Sequence, residues 1–201
     1  MLTRRKLFFI FIGCLVSFCA VMILWPTHDK LPVLATINDY QLEDVFHGPH
    51  QLNNEKVKVT AFFYTRCPDI CPLTMQDFTK LQSELKLAGV FGDEVEIVSI
   101  SFDPEYDTTE NLRDYAGRFQ ADSEGWRWLR GTQEATRQLA NELQVQYEQM
   151  GEHFFSHSTT MFLIDQNNQV RALYDMAYRS KPVEIERIVD DVLYLVNKSN
   201  E

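Results

Sequence analysis

The chain has 201 residues, 45% of them hydrophobic, and carries 19 Lys and Arg against 29 Asp and Glu, for a net charge of −10. That length suits one domain with an ample core. So acidic a balance repels nucleic acid and anionic headgroups and excludes both as partners of the folded surface.

Arg4, Arg5 and Lys6 precede nineteen uncharged residues, 7–25, close to the length that crosses a bilayer as a helix. The run exceeds a signal-peptide core and shows no small-residue cleavage site. An uncleaved transmembrane anchor is therefore expected over residues 1–26, its basic flank cytoplasmic and the rest of the chain outside. Cys14 and Cys19 fall within it as small hydrophobes. Gly13-Cys14 is a poor lipid-attachment match, and Thr3-Arg4-Arg5 only a faint twin-arginine one. No Arg- and Ser-rich leader precedes the run, which points to a bacterial cell membrane, crossed once. Residues 27–36 read as a polar spacer and 37–198 as the folded domain. Without residues 1–26 the chain holds 16 Lys and Arg against 29 Asp and Glu.

Phe46-His47-Gly48-Pro49-His50 reads as a turn, and residues 57–64 as a strand covered on both faces. Then comes Cys67-Pro68-Asp69-Ile70-Cys71-Pro72. Pro72 suits the first position of a helix, which sets Cys71 at or beside the N-cap, where the helix dipole stabilises a thiolate. Leu73, Phe78, Leu81 and Leu85 continue at helical spacing, with Gly89 as the stop. Residues 95–102 form the next strand. A helix opens near Asp107 to Glu110 with Leu112, Tyr115 and Phe119 on one face, and Thr132 caps another carrying Leu139 and Leu143. Residues 159–164 and 170–174 pair as a hairpin. Pro182 opens a last helix with Ile185, Ile188, Val189, Val192, Leu193 and Val196 on its apolar stripe. Strands alternating with helices, and a dithiol where a strand gives way to a helix, predict an α/β, thioredoxin-like fold, with a central mixed sheet flanked by helices.

An external domain of this size needs no covalent staple, so Cys67 and Cys71 point to function more than to structure. In a thioredoxin-like fold, the loop before residues 159–164 faces the cysteine turn. It contains His153 and His157, and one imidazole with two thiolates makes a soft three-donor site suited to Cu(I), with imidazole also accommodating Cu(II). No clear fourth ligand closes a structural zinc site. His47 and His50 are explained by their turn. Met150 and Met161 read as core or strand residues, and Asp69 as a helix-entrance acid able to tune the thiolate. Asp103 reads as a strand-end residue with a structural role.

Three blocks together resemble the Sco family, proteins for synthesis of cytochrome c oxidase. They are Phe62-Phe63-Tyr64-Thr65-Arg66-Cys67-Pro68-Asp69-Ile70-Cys71-Pro72, then Ser99-Ile100-Ser101-Phe102-Asp103-Pro104-Glu105-Tyr106-Asp107-Thr108, then His157-Ser158-Thr159-Thr160-Met161-Phe162-Leu163-Ile164-Asp165. The resemblance implies a membrane-anchored copper protein that helps assemble the binuclear copper centre (CuA) of oxidase subunit II. It also implies Cys67, Cys71 and His157 as the copper ligands. Two positions depart from the pattern. Ser156 stands where many members have aspartate, and Tyr106 where they often have arginine, which bears on how the imidazole is oriented.

Two functions compete. A metallochaperone would pass copper from this site to its acceptor by ligand exchange, drawing on a copper donor or a thiol reductant protein. A thiol–disulfide oxidoreductase would use Cys67 to attack an acceptor disulfide and Cys71 to resolve the mixed disulfide. A peroxidase is disfavoured, because no proline stands a few residues before Cys67 to orient a peroxide.

Overall fold

Strand-forming runs and capped helices follow one another in the computed structural model, which describes residues 31–151 and 154–199. In chain order they are β1 (Ala35–Thr36), β2 (Gln41–Asp44), β3 (Gly48–Gln51), β4 (Val57–Phe63), α1 (Ile70–Leu87), β5 (Val95–Ser101), α2 (Thr109–Gly117), β6 (Trp126–Arg130), α3 (Gln133–Glu142), β7 (Tyr147–Gln149), β8 (Phe155–His157), β9 (Thr160–Ile164), β10 (Gln169–Asp175) and α4 (Ile185–Ser199). Eight strands form one mixed sheet in the order β1-β10-β9-β4-β5-β6-β2-β3, and β7-β8 form a separate two-stranded sheet.

The centre of the sheet follows from composition. Every residue of β4 and β5 is buried, the two run parallel, and β6 extends them in parallel, as strands covered on both faces do. Antiparallel β9 closes the other side of β4. Trp126 and Trp128, two residues apart on β6, share a face and carry the aromatic packing of Phe78, Phe63 and Tyr115. Two threonines cap helices as hydroxyl acceptors. Thr108 takes the Asn111 amide at 3.2 Å and Thr132 the Ala135 amide at 3.1 Å. Gly89, at φ +75°, ends α1 in the left-handed conformation that a side chain resists. Helix α1 packs against α4 and β5, and α2 against β6.

Several expectations are refined. Helix α1 starts at Ile70, with Asp69 at the N-cap, so Pro72 is the third helical residue and Cys71 the second. Proline fits there because a first-turn amide lacks an intrahelical partner anyway. The turn expected at residues 46–50 is narrower: residues 45–47 form the bend of hairpin β2–β3, and Gly48-Pro49-His50 already belong to β3. Strand β6 and hairpin β7–β8 went unforeseen. Met150 is exposed (62%), not core, whereas Met161 is fully buried. Leu31 is buried and β1 pairs with β10, so part of the expected spacer lies along the sheet edge. No helix among the described residues is long and apolar enough to cross a membrane, and the expected span over residues 1–26 lies outside them.

At that same edge, buried Arg171 bonds Asp165 at 2.8 Å and donates to the Leu31 carbonyl. Removing one partner of such a pair leaves a buried charge uncompensated. Arg171→Ala is expected to lower unfolding stability by roughly 3–5 kcal/mol in urea titration; a loss below about 1 kcal/mol would contradict this account of the edge.

Candidate functional site: a dithiol turn facing an imidazole

Strand β4 ends at Phe63 and hands the chain to a turn that three buried or half-buried groups hold in place. Tyr64 accepts the Cys67 amide on its carbonyl at 3.2 Å. The buried Asp107 carboxylate accepts the Thr65 amide at 3.2 Å, the Thr65 hydroxyl and the Ser101 hydroxyl. Burial pushes its pKa above the ordinary carboxylate value, against the pull of those hydrogen bonds. Arg66 meets Asp103 at 2.6 Å and lies 3.9 Å over the Tyr106 ring. Asp103 is thus a buried ion-pair partner of the turn. Tyr106 supplies an aromatic face for the guanidinium in the position where arginine is frequent.

Both thiols are free, Cys71 buried and Cys67 partly exposed. Their environments split them. The Cys67 pKa is pushed down to about 4 by the Cys71 thiol, assisted by His157 and the Asp69 and Cys71 amides, with burial opposing. Cys71 is pushed up, first by burial and then by the neighbouring Cys67. The Cys71 amide points at the Cys67 sulfur from 3.4 Å, so the start of α1 serves Cys67 and not Cys71 as expected. Asp69 contributes its amide to this set, while its carboxylate turns outward to Arg179 at 3.2 Å.

His157 ends β8. Its Nδ1 lies 2.7 Å from the Ser158 carbonyl; a carbonyl only accepts, so Nδ1 carries the proton and Nε2 keeps its lone pair. That Nε2 faces the Cys71 sulfur at 3.9 Å. The ring rests on Phe102 (centroids 5.0 Å apart) and edge-on to Tyr64 (6.1 Å). Outside, His157 lines a groove of about 710 Å³ with Arg137, Tyr147 and Phe155.

The Cys67, Cys71 and His157 donor atoms all lie within 4.8 Å of one another, and no other such group of His, Cys, Asp or Glu occurs among the described residues. An ion about 2.0–2.3 Å from sulfur and nitrogen donors needs them roughly 3.5–4 Å apart in trigonal array, so the spacing fits a metal with little movement. The structure does not bring His47 or His50 here. His47 bonds the Ser123 carbonyl, and His50 lies beside Glu96. His153 lies outside the described residues. Sequence reasoning missed Asp107 as an anchor of the turn and Tyr64 as a contact of the imidazole. Asp107 was taken for a helix start, although Thr108 does the capping.

A parallel-centred sheet with a dithiol leading into a helix, opposed by an imidazole from the loop before an antiparallel strand, defines a thioredoxin-like metal or redox protein. The SCO1/SenC family pattern matches residues 40–193, and the chain belongs to that family. A candidate copper-binding protein of Stutzerimonas stutzeri is 28% identical over 139 residues, covering 65% of this chain. The chain spans 66% of that relative's length, just under two thirds. A SCO1/SenC family lipoprotein of Bacillus anthracis superposes with a TM-score of 0.74 at 26% identity, covering 83% of this chain and 98% of the other. Arabidopsis thaliana ScoI with copper bound shares the fold at a TM-score of 0.67 and 23% identity, covering 82% and 99%.

The unequal thiols give a direct expectation. In reduced, metal-free protein, the rate of Cys67 alkylation by iodoacetamide should stay flat from pH 9 to about 6 and fall only as pH drops towards about 4, where the thiolate takes up its proton. Cys71 should react slowly throughout. A Cys67 rate still rising about tenfold per unit between pH 7 and 8 would contradict the assignment.

Proposed function

We propose that this chain is a membrane-anchored copper chaperone that loads the CuA centre of cytochrome c oxidase subunit II, with Cys67, Cys71 and His157 holding the metal. The observation that carries this reading is the convergence of two sulfurs and one bare imidazole nitrogen from separate elements within 4.8 Å. Soft thiolates select Cu(I), and the imidazole also tolerates Cu(II). Copper is here cargo and not a resident cofactor. Three donors leave a side open, so a cysteine or histidine of the acceptor can bind before a donor of this chain departs. Copper on the Arabidopsis relative supports the metal, and membership of a family of oxidase assembly proteins supports the acceptor. Residues 1–26 would hold the domain, residues 37–198, on the outer face of a bacterial membrane. The lipoprotein relative supports a membrane location reached by a different anchor.

A second reading is favoured by the division between an exposed thiolate and a buried thiol. Cys67 would attack an acceptor disulfide and form a mixed disulfide. Cys71 would then lose its proton and displace the acceptor sulfur, leaving a Cys67–Cys71 disulfide and an acceptor dithiol. Copper delivery to cysteines needs them reduced, so one site can serve both steps, with a separate thiol donor restoring it.

The test is a Cu(I) competition titration of the full chain in detergent. One equivalent should bind tightly, and Cys67→Ala, Cys71→Ala and His157→Ala should each weaken binding by more than about 100-fold, since even outer-sphere changes cost 10–100-fold. Unchanged affinity in His157→Ala would remove the imidazole from the site and favour thiol exchange alone.

A further inference from the structure

His157 lies outside the main sheet, with Ser158 and Thr159 between it and β9, which belongs to that sheet. Strands β7 and β8 pair with each other in a separate two-stranded sheet, so no ladder fixes β8 against the end of β4, where the thiols begin. The bonds joining the hairpin run from Ser158 to Gln146 and from Met150 to Phe154. In the alternation of an antiparallel pair, Phe155 and His157 then hold non-bonded positions, and their main-chain groups point away from β7.

Those of Phe155 meet Tyr64. The hydroxyl donates to the Phe155 carbonyl at 3.5 Å and accepts the Phe155 amide at 3.4 Å. The same residue's own carbonyl takes the Cys67 amide at 3.2 Å. Tyr64 is fully buried and packs on Phe102 and Phe155, with ring centroids 5.2 Å apart in both cases. We infer that Tyr64 is the positioning residue of the site: its carbonyl holds the thiol turn, its hydroxyl holds the hairpin two residues before His157, and the span between them sets how closely the imidazole approaches the sulfurs.

The ring could hold the two parts together by packing alone, as phenylalanine would. The hydroxyl adds direction, since donating and accepting on one residue fixes β8 along its own axis. Both contacts are long, so the effect is graded and not all-or-none. The inference rests on His157 binding copper.

A double-mutant cycle on the full chain tests it. Tyr64→Phe keeps the ring and should weaken Cu(I) binding about three- to tenfold. In the His157→Ala background the same change should alter affinity by less than about twofold, because the hydroxyl acts chiefly by placing the imidazole. In the metal-free protein, Tyr64→Phe should speed hydrogen exchange at the Phe155 amide. Wild-type affinity in Tyr64→Phe, with binding lost in His157→Ala, would overturn the inference and leave the ligand set standing. Equal losses in both backgrounds would also overturn it, by showing that Tyr64 acts on the thiol turn or on general stability. Normal affinity in His157→Ala would bring down the ligand reading, and this inference with it.

Discussion

The site is held together by one aromatic cluster: the packing of Phe155 against Tyr64 and Phe102, with centroids 5.2 and 5.3 Å apart. It presses a short hairpin, paired outside the main-sheet ladder, onto the ends of β4 and β5. The dithiol turn begins with Cys67, four residues beyond the end of β4, and His157 lies two residues beyond Phe155. The imidazole thus comes within 3.9 Å of Cys71 through this ring packing together with the short link from His157 into β9. Edge-to-face ring pairs of this kind contribute about 0.5–1.5 kcal/mol beyond their burial. That is enough to help hold the hairpin against the dithiol turn.

The second constraint is electrostatic. A turn at a helix start offers its amides to one sulfur, while the core encloses the other. The result is one thiolate at neutral pH and one protonated neighbour beside it. Taking up a cation releases the second proton and cancels negative charge in a half-buried place, so metal binding and proton loss are joined at Cys71. Asp107 stands behind both as a buried acid tied to Thr65 and Ser101. It fixes the turn without spending an exposed charge on it.

Much of this was legible in the residues. Runs rich in β-forming residues and poor in charge gave β4 and β5, because parallel central strands bury both faces. A capping-box-like start gave α2, the Thr132 cap gave α3, and Pro182 with an apolar stripe gave α4. The cysteine turn and the loop histidine were legible as chemistry, and their meeting followed from the fold class. What escaped was local. Trp126-Arg127-Trp128-Leu129-Arg130 alternates large apolar and cationic residues that pair with Glu96 and Glu43, so its charges masked a central strand. Tyr147-Glu148-Gln149 and Phe155-Ser156-His157 are too short and polar to announce a hairpin; tertiary packing alone makes them strands. The helix start was misplaced by two residues because proline is tolerated anywhere in a first turn.

The central claim is that two sulfurs and one imidazole nitrogen share a single metal ion. X-ray absorption at the copper edge of the Cu(I)-loaded full chain addresses it most directly. The account predicts three-coordinate copper with two sulfur scatterers near 2.2–2.3 Å and one nitrogen near 2.0 Å, values about those of other soft first-row sites. A shell of sulfur alone, or of nitrogen and oxygen without sulfur, would contradict it.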